Sequence, residues 1–65
     1  MRLTVNGESI SSDAGTVEEL LRELKIDPVR VAVEVNLAVI KKAEYAAVRL
    51  NEGDAVEIVN FVAGG

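Results

Sequence analysis

Apolar positions recur every second residue near both ends of the chain and every third or fourth residue in between. From Arg2 to Asn6 the alternation places Leu3 and Val5 on one face of a strand. Asn6-Gly7 follows, a dipeptide suited to the two positive φ angles of a type I′ hairpin turn. Glu8 to Ser11 returns antiparallel with Ile10 inward, and Ser12-Asp13-Ala14-Gly15 is loop. Thr16 then opens a helix in which Val17, Leu20, Leu21 and Leu24 fall at i, i+3, i+4 and i+7, one apolar stripe. Thr16 and Glu19 fit a capping box, each satisfying a backbone N–H that lacks a helical partner. Asp27-Pro28 is expected to end the helix, because proline biases the residue before it away from helical angles.

The period returns to two at Val31, Val33 and Val35, which alternate with Ala32 and Glu34. Asn36-Leu37 is a turn and Ala38-Val39-Ile40 a short returning strand. Lys41 to Ala47 holds a helical turn around Tyr45, and Val48-Arg49-Leu50 a short bridge or strand. Turn chemistry at Asn51-Glu52-Gly53-Asp54 precedes the last strand, which starts with Val56 and Ile58 inward and runs through Val59, Phe61 and Val62 to Gly64-Gly65. The order hairpin, helix, hairpin, short element, strand predicts an α+β domain: a mixed four- to five-stranded sheet packed on one helix. The expected division is a compact body over residues 1–61 and a flexible tail over residues 62–65.

Composition narrows the chemistry. A chain of 65 residues supports one domain. With no cysteine there is no disulfide, thiolate metal site or cysteine nucleophile, and with no histidine the commonest acid/base group near neutral pH is missing. Asp and Glu number 11 against 7 Lys and Arg, so the net charge of −4 disfavours nucleic acid and favours partners with basic surface. The first residues lack the charged region and long apolar run of a signal peptide, and no stretch is apolar over the roughly 18 residues a membrane helix needs. The expectation is a cytoplasmic protein with no membrane partner.

Candidate chemistry concentrates at the tail. Gly64-Gly65 carries no side chain near its carboxylate, so another protein can thread it through a narrow tunnel. The last four residues, Val62, Ala63, Gly64 and Gly65, reach at most about 13 Å beyond the strand. A free carboxylate is a poor electrophile and needs activation, most simply as an anhydride with AMP. The chain has neither a glycine-rich phosphate loop nor a metal-ligand cluster, so it is read as the substrate of another enzyme. If Val56 and Ile58 point inward, Val59 and Phe61 point the other way. They then form a docking patch, unless a β-bulge switches faces and buries Phe61. Leu37, at a hairpin tip, is a third docking candidate, although one exposed leucine is ordinary. Lys41-Lys42 reads as a solvated face. Glu18, Glu19 and Glu23 read as helix capping and dipole complement rather than as paired catalytic carboxylates. Tyr45 is expected at the core edge with its hydroxyl in water.

Taken in order, Val5-Asn6-Gly7, Thr16-Val17-Glu18-Glu19-Leu20-Leu21, Val33-Glu34-Val35-Asn36, Gly53-Asp54 with Val56-Glu57-Ile58, and the ending Val62-Ala63-Gly64-Gly65 resemble the ThiS family of sulfur carriers in thiamine biosynthesis. The resemblance covers essentially the whole chain. It implies the β-grasp, or ubiquitin-like, topology, with the first and last strands parallel in mid-sheet. It also implies a carrier cycle. A ThiF-like adenylyltransferase would use ATP and Mg²⁺ to adenylate the Gly65 carboxylate. Sulfur from a persulfide donor would replace AMP to leave a thiocarboxylate, and a ThiG-like thiazole synthase would take that sulfur. No cofactor binds the carrier itself. Lys41-Lys42 and Tyr45 stand where the family often has Pro-Arg and then Trp, and Leu37 where a polar residue or glycine is common. Rival functions are a related carrier for tRNA thiolation or molybdopterin synthesis, a ubiquitin-like modifier joined to lysines through Gly65, and a plain interaction module.

Overall fold

The first hairpin forms as its alternation dictates. In this computed structural model, which describes residues 1–61, β1 (Arg2–Val5) pairs antiparallel with β2 (Glu8–Ser11). Asn6 at φ 50° and Gly7 at φ 82° make the turn. The second hairpin is β3 (Val31–Val35) with β4 (Ala38–Ile40), and β5 (Ala55–Asn60) is the last strand. The strands lie in the order β2-β1-β5-β3-β4. Thus β5 is central: it runs parallel to β1 and antiparallel to β3. It ends at Asn60, earlier than the apolar run through Val62 suggests.

One face of this sheet carries the core. Leu3, Val31, Val33 and Val56 are fully buried against Val17, Leu20 and Leu21 of the helix α1 (Val17–Glu23). Ile10 and Ile40 pack at the margins of the same cluster.

Both ends of α1 are closed by neighbouring backbone. Val17 N–H donates to the Val48 carbonyl and Glu18 N–H to the Tyr45 carbonyl, at 3.1 and 2.9 Å. Thr16 Oγ1 accepts from Glu19 N–H at 3.2 Å, as the capping box requires. The returning arm differs, for the Glu19 carboxylate accepts from Gly15 N–H at 2.7 Å. The other end stops at Leu24, short of Asp27-Pro28. There Lys25 turns left-handed at φ 60°, its N–H donates to the Arg22 carbonyl and Ile26 N–H to the Leu21 carbonyl. This is a Schellman motif, with Ile26 folded back onto the core. Proline therefore follows the stop rather than causing it, and starts a 3₁₀ turn at Pro28–Arg30. Leu24, the fourth residue of the apolar stripe, is consequently exposed.

Tyr45 also departs from expectation. The helical turn before it is a 3₁₀ turn at Lys42–Glu44, and its ring is buried beside Val31, whose carbonyl accepts from the phenol hydroxyl at 3.3 Å. The hydroxyl is paired inside the core rather than wet, which satisfies it as burial demands. The bridge at Val48 to Leu50 forms through Thr16 and Arg49.

Candidate functional site

Strand β5 delivers the chain to one end of the sheet at Phe61. Five consecutive pairs with β3, from Val35↔Val56 to Val31↔Asn60, run without a bulge. Val56 and Ile58 therefore face the helix, and Glu57, Val59 and Phe61 keep to the opposite, outer face. Val59 is 56% exposed and Phe61 54%, so the alternative in which a bulge buries Phe61 does not occur.

Phe61 is tied down at its backbone and its ring. Its N–H donates to the Arg30 carbonyl at 2.8 Å, which extends the β3–β5 ladder by one bond. The Lys42 ammonium lies 5.9 Å from the ring centroid, within cation–π range, and donates to the Val29 carbonyl at 3.1 Å. Lys42 thus links the two 3₁₀ turns flanking the end of β5, a more specific role than a solvated basic pair. Val62, Ala63, Gly64 and Gly65, and with them the expected body–tail boundary, lie outside the described residues.

The outer face continues across β3 and β4. Ala32 stands opposite Val59, Glu34 opposite Glu57, and Val39 opposite Glu34 on the other side. Val39 is 73% exposed and Leu37, at the hairpin tip, 87%. Sequence reasoning missed Val39. The available signal was register: with Val33 inward and a two-residue turn, Ile40 must face in and Val39 out.

Catalytic machinery is not assembled by the described carboxylates. Glu23 accepts from the Ser12 hydroxyl at 2.5 Å and Asp13 N–H at 3.3 Å, Glu19 from Gly15, and Glu18 pairs with Arg22 across one helical turn. Glu18 and Glu19 sit in the first turn of α1, as the capping and dipole reading expects, whereas Glu23 is the last residue of the helix and instead ties the Ser12–Asp13 loop to it. Among the described residues no group of three or more His, Cys, Asp or Glu side chains could hold a metal ion, and no helix is long and apolar enough to cross a membrane. Chemically, the arrangement can hold a strand end firmly, with exposed Val59 and Phe61 at that end, Val39 further along the same face and Leu37 at the opposite end of the sheet.

A mixed five-stranded sheet with parallel central strands, backed on one face by a single helix, defines the β-grasp class. Within it, the family model of the ThiS family matches residues 2–65, and the chain belongs to that family. It is 38% identical to the sulfur carrier protein ThiS of Bacillus subtilis, across 97% of this chain and 98% of that one. The crystal structure of the thiamine biosynthesis protein ThiS from Geobacter metallireducens superposes with a TM-score of 0.86 at 39% identity, covering 100% of both chains. The chain is also 50% identical over 66 residues to a thiazole synthase of Paramagnetospirillum magneticum, and spans only 20% of that protein's length. A second thiazole synthase, from Magnetococcus marinus, is 46% identical, with the same 20% of its length covered.

Proposed function

We propose that this chain is a sulfur carrier of thiamine biosynthesis, with the Gly65 carboxylate as the group that carries sulfur. The observation that supports it best is the near end-to-end likeness to a sulfur carrier of almost the same length. Fold and chemistry agree with that reading. A body without cysteine or histidine is a poor catalyst and a good handle, so the chain is a substrate of its partners.

The steps follow from carboxylate reactivity. A ThiF-like adenylyltransferase joins the Gly65 carboxylate to AMP from Mg²⁺-bound ATP and releases pyrophosphate. A persulfide then attacks the acyl carbon through its terminal sulfur and AMP departs. A second thiol cleaves the resulting acyl disulfide, is itself oxidised to a disulfide, and leaves the thiocarboxylate. A thiocarboxylate is ionised near neutral pH and nucleophilic through sulfur, so it holds sulfide in a controlled form. A ThiG-like thiazole synthase is the proposed acceptor, an assignment favoured by the ThiS-like stretch within thiazole synthases of two organisms. The cytoplasm, with ATP and reduced thiols, is the compartment this chemistry needs.

In this reading Gly64, Ala63 and Val62 thread the partner's tunnel, and Phe61, Val59 and Leu37 contact its surface. Intact mass spectrometry tests the central step. Incubation with the cognate adenylyltransferase, ATP, Mg²⁺ and a persulfide donor is expected to raise the mass by the difference between sulfur and oxygen. Isopeptide conjugates on cellular proteins without that gain would favour a modifier instead, and no change at all would leave an interaction module.

A further inference from the structure

The last residues of β5 are held from one side. The named pairs with β1 stop at Val5↔Val56, and the Asn6 amide then takes the backbone of Ile58. Beyond Ile58 the described backbone partners lie on β3 and the turn before it. Val59 pairs with Ala32, Asn60 with Val31, and Phe61 N–H donates to the Arg30 carbonyl. A segment end tied along a single edge opens at little free-energy cost.

Lys42 ties the same end a second time. It comes from the 3₁₀ turn after β4, and its ammonium engages both the Phe61 ring, at 5.9 Å from the centroid, and the Val29 carbonyl, at 3.1 Å. The ion pairs among the described residues are Arg22–Glu18 and Arg30–Asp27, and neither involves Lys42. Lys42 and Phe61 are both exposed, and neither belongs to the buried core. The link therefore contributes little to the body's stability. What it does fix is the orientation of Phe61 against the Pro28–Arg30 turn.

We propose that Lys42 is a positioning residue for the adenylation step: by clamping Phe61 to the turn beside it, Lys42 sets the direction in which the chain leaves the sheet. The inference rests on the carrier reading for the reaction. The four residues after Phe61 reach at most about 13 Å, so a swing of roughly 20° at Phe61 displaces their far end by about 4–5 Å. A narrow tunnel rejects an end displaced that far, so fewer docked carriers present the carboxylate for attack on ATP. Lys42 touches neither the carboxylate nor the nucleotide. It acts through the Phe61 ring, and the body docks equally well without it.

Lys42→Met keeps the aliphatic stem and removes the charge and the donor. Lys42→Arg retains both, since a guanidinium also stacks on an aromatic face and donates. Amide hydrogen exchange of the full chain, with no partner present, reads the clamp. In Lys42→Met, Phe61 N–H should exchange about fivefold faster, the size of one cation–π contact at an exposed site. Ile58 N–H, held by Asn6, should not change. With the cognate adenylyltransferase, Lys42→Met should lower kcat for pyrophosphate release about fivefold at the parent's KM, and Lys42→Arg should keep the parent's kcat. In a Phe61→Leu background the same Lys42→Met change should cause no further loss, because the ring it acts through is gone. A raised KM with kcat unchanged, or a full loss persisting in the Phe61→Leu background, would show that Lys42 touches the enzyme directly and would overturn the proposal. So would unaltered exchange at Phe61, or a loss in Lys42→Arg as large as in Lys42→Met. If the parent gains sulfur and Lys42→Met matches its kcat, the positioning role falls alone. If the parent is never adenylated, the carrier reading falls and this role falls with it.

Discussion

Asn6 grips Ile58 by both polar ends of its backbone: Ile58 N–H donates to Asn6 Oδ1 at 2.7 Å, and Asn6 Nδ2 donates to the Ile58 carbonyl at 3.2 Å. The named parallel pairs between β1 and β5 are Thr4↔Ala55 and Val5↔Val56. After them β1 turns away while β5 continues, and the Asn6 amide takes over as a substitute strand. Asn36 acts from the other side, with its backbone N–H on the Ala55 carbonyl at 2.7 Å and its Oδ1 on Ala55 N–H at 2.9 Å. Two turn asparagines thus clasp the strand that leads to the tail.

Replacing Asn6 by glycine keeps the positive φ accessible and removes the clasp, while the relief of left-handed strain and the added freedom of the unfolded chain act in opposite directions. The expected loss is about 2 kcal/mol, from two hydrogen bonds with part-buried strand groups left to find other partners. Urea unfolding measures it, and a loss near zero would mean that water replaces the amide. In a small domain a change of that size is a large share of the total.

Lys25→Gly should change stability in the opposite direction. Lys25 occupies the left-handed position of the Schellman motif at φ 60°, where a Cβ costs roughly 1–2 kcal/mol. Glycine removes that strain but enlarges the freedom of the unfolded chain. A net gain of about 0.5–1 kcal/mol is expected as a higher thermal midpoint.

Removing the Tyr45 hydroxyl separates packing from pairing. Tyr45→Phe keeps the ring under the 42–48 segment and deletes the bond to the Val31 carbonyl. About 1 kcal/mol should be lost in urea unfolding. Tyr45→Ala, which empties a core site and disturbs the carbonyl that caps Glu18 N–H, should lose about 3–5 kcal/mol. Equal losses for the two variants would show that the hydroxyl, not the ring, holds the segment.

Deleting Gly65 should abolish the sulfur mass gain and leave the thermal midpoint unchanged, because the buried core draws on positions from Leu3 to Ile58. Differential scanning calorimetry beside intact mass spectrometry reads both. Unfolding of the shortened chain would show that the tail contributes to the core.

Local patterns carried most of the architecture. The two-residue period of Val31, Val33 and Val35, the helical spacing of Val17, Leu20 and Leu21, and the turn chemistry of Asn6-Gly7 each depend on residues close in sequence, so each was legible without the fold. The stop of α1 is not legible locally, because the visible signal, Pro28, is downstream of the true one, a lysine in a conformation usually given to glycine. The burial of Tyr45 is not legible locally, because nothing beside it in sequence provides the Val31 carbonyl. Val39 was missed because its face depends on pairing with β3.

By itself the sequence determined the order and type of the main elements, the inward residues of β1, β2, β3 and β5, and the chemical poverty of the body. Those properties follow from side-chain period and composition, which need no knowledge of distant contacts. Only the tertiary structure decided that Asn6 and Asn36 hold β5, that Lys42 sits over Phe61, and that Glu34 faces Glu57. Each of these joins residues far apart in the chain, and strand order and register, set by burial of one sheet face as a whole, bring them together.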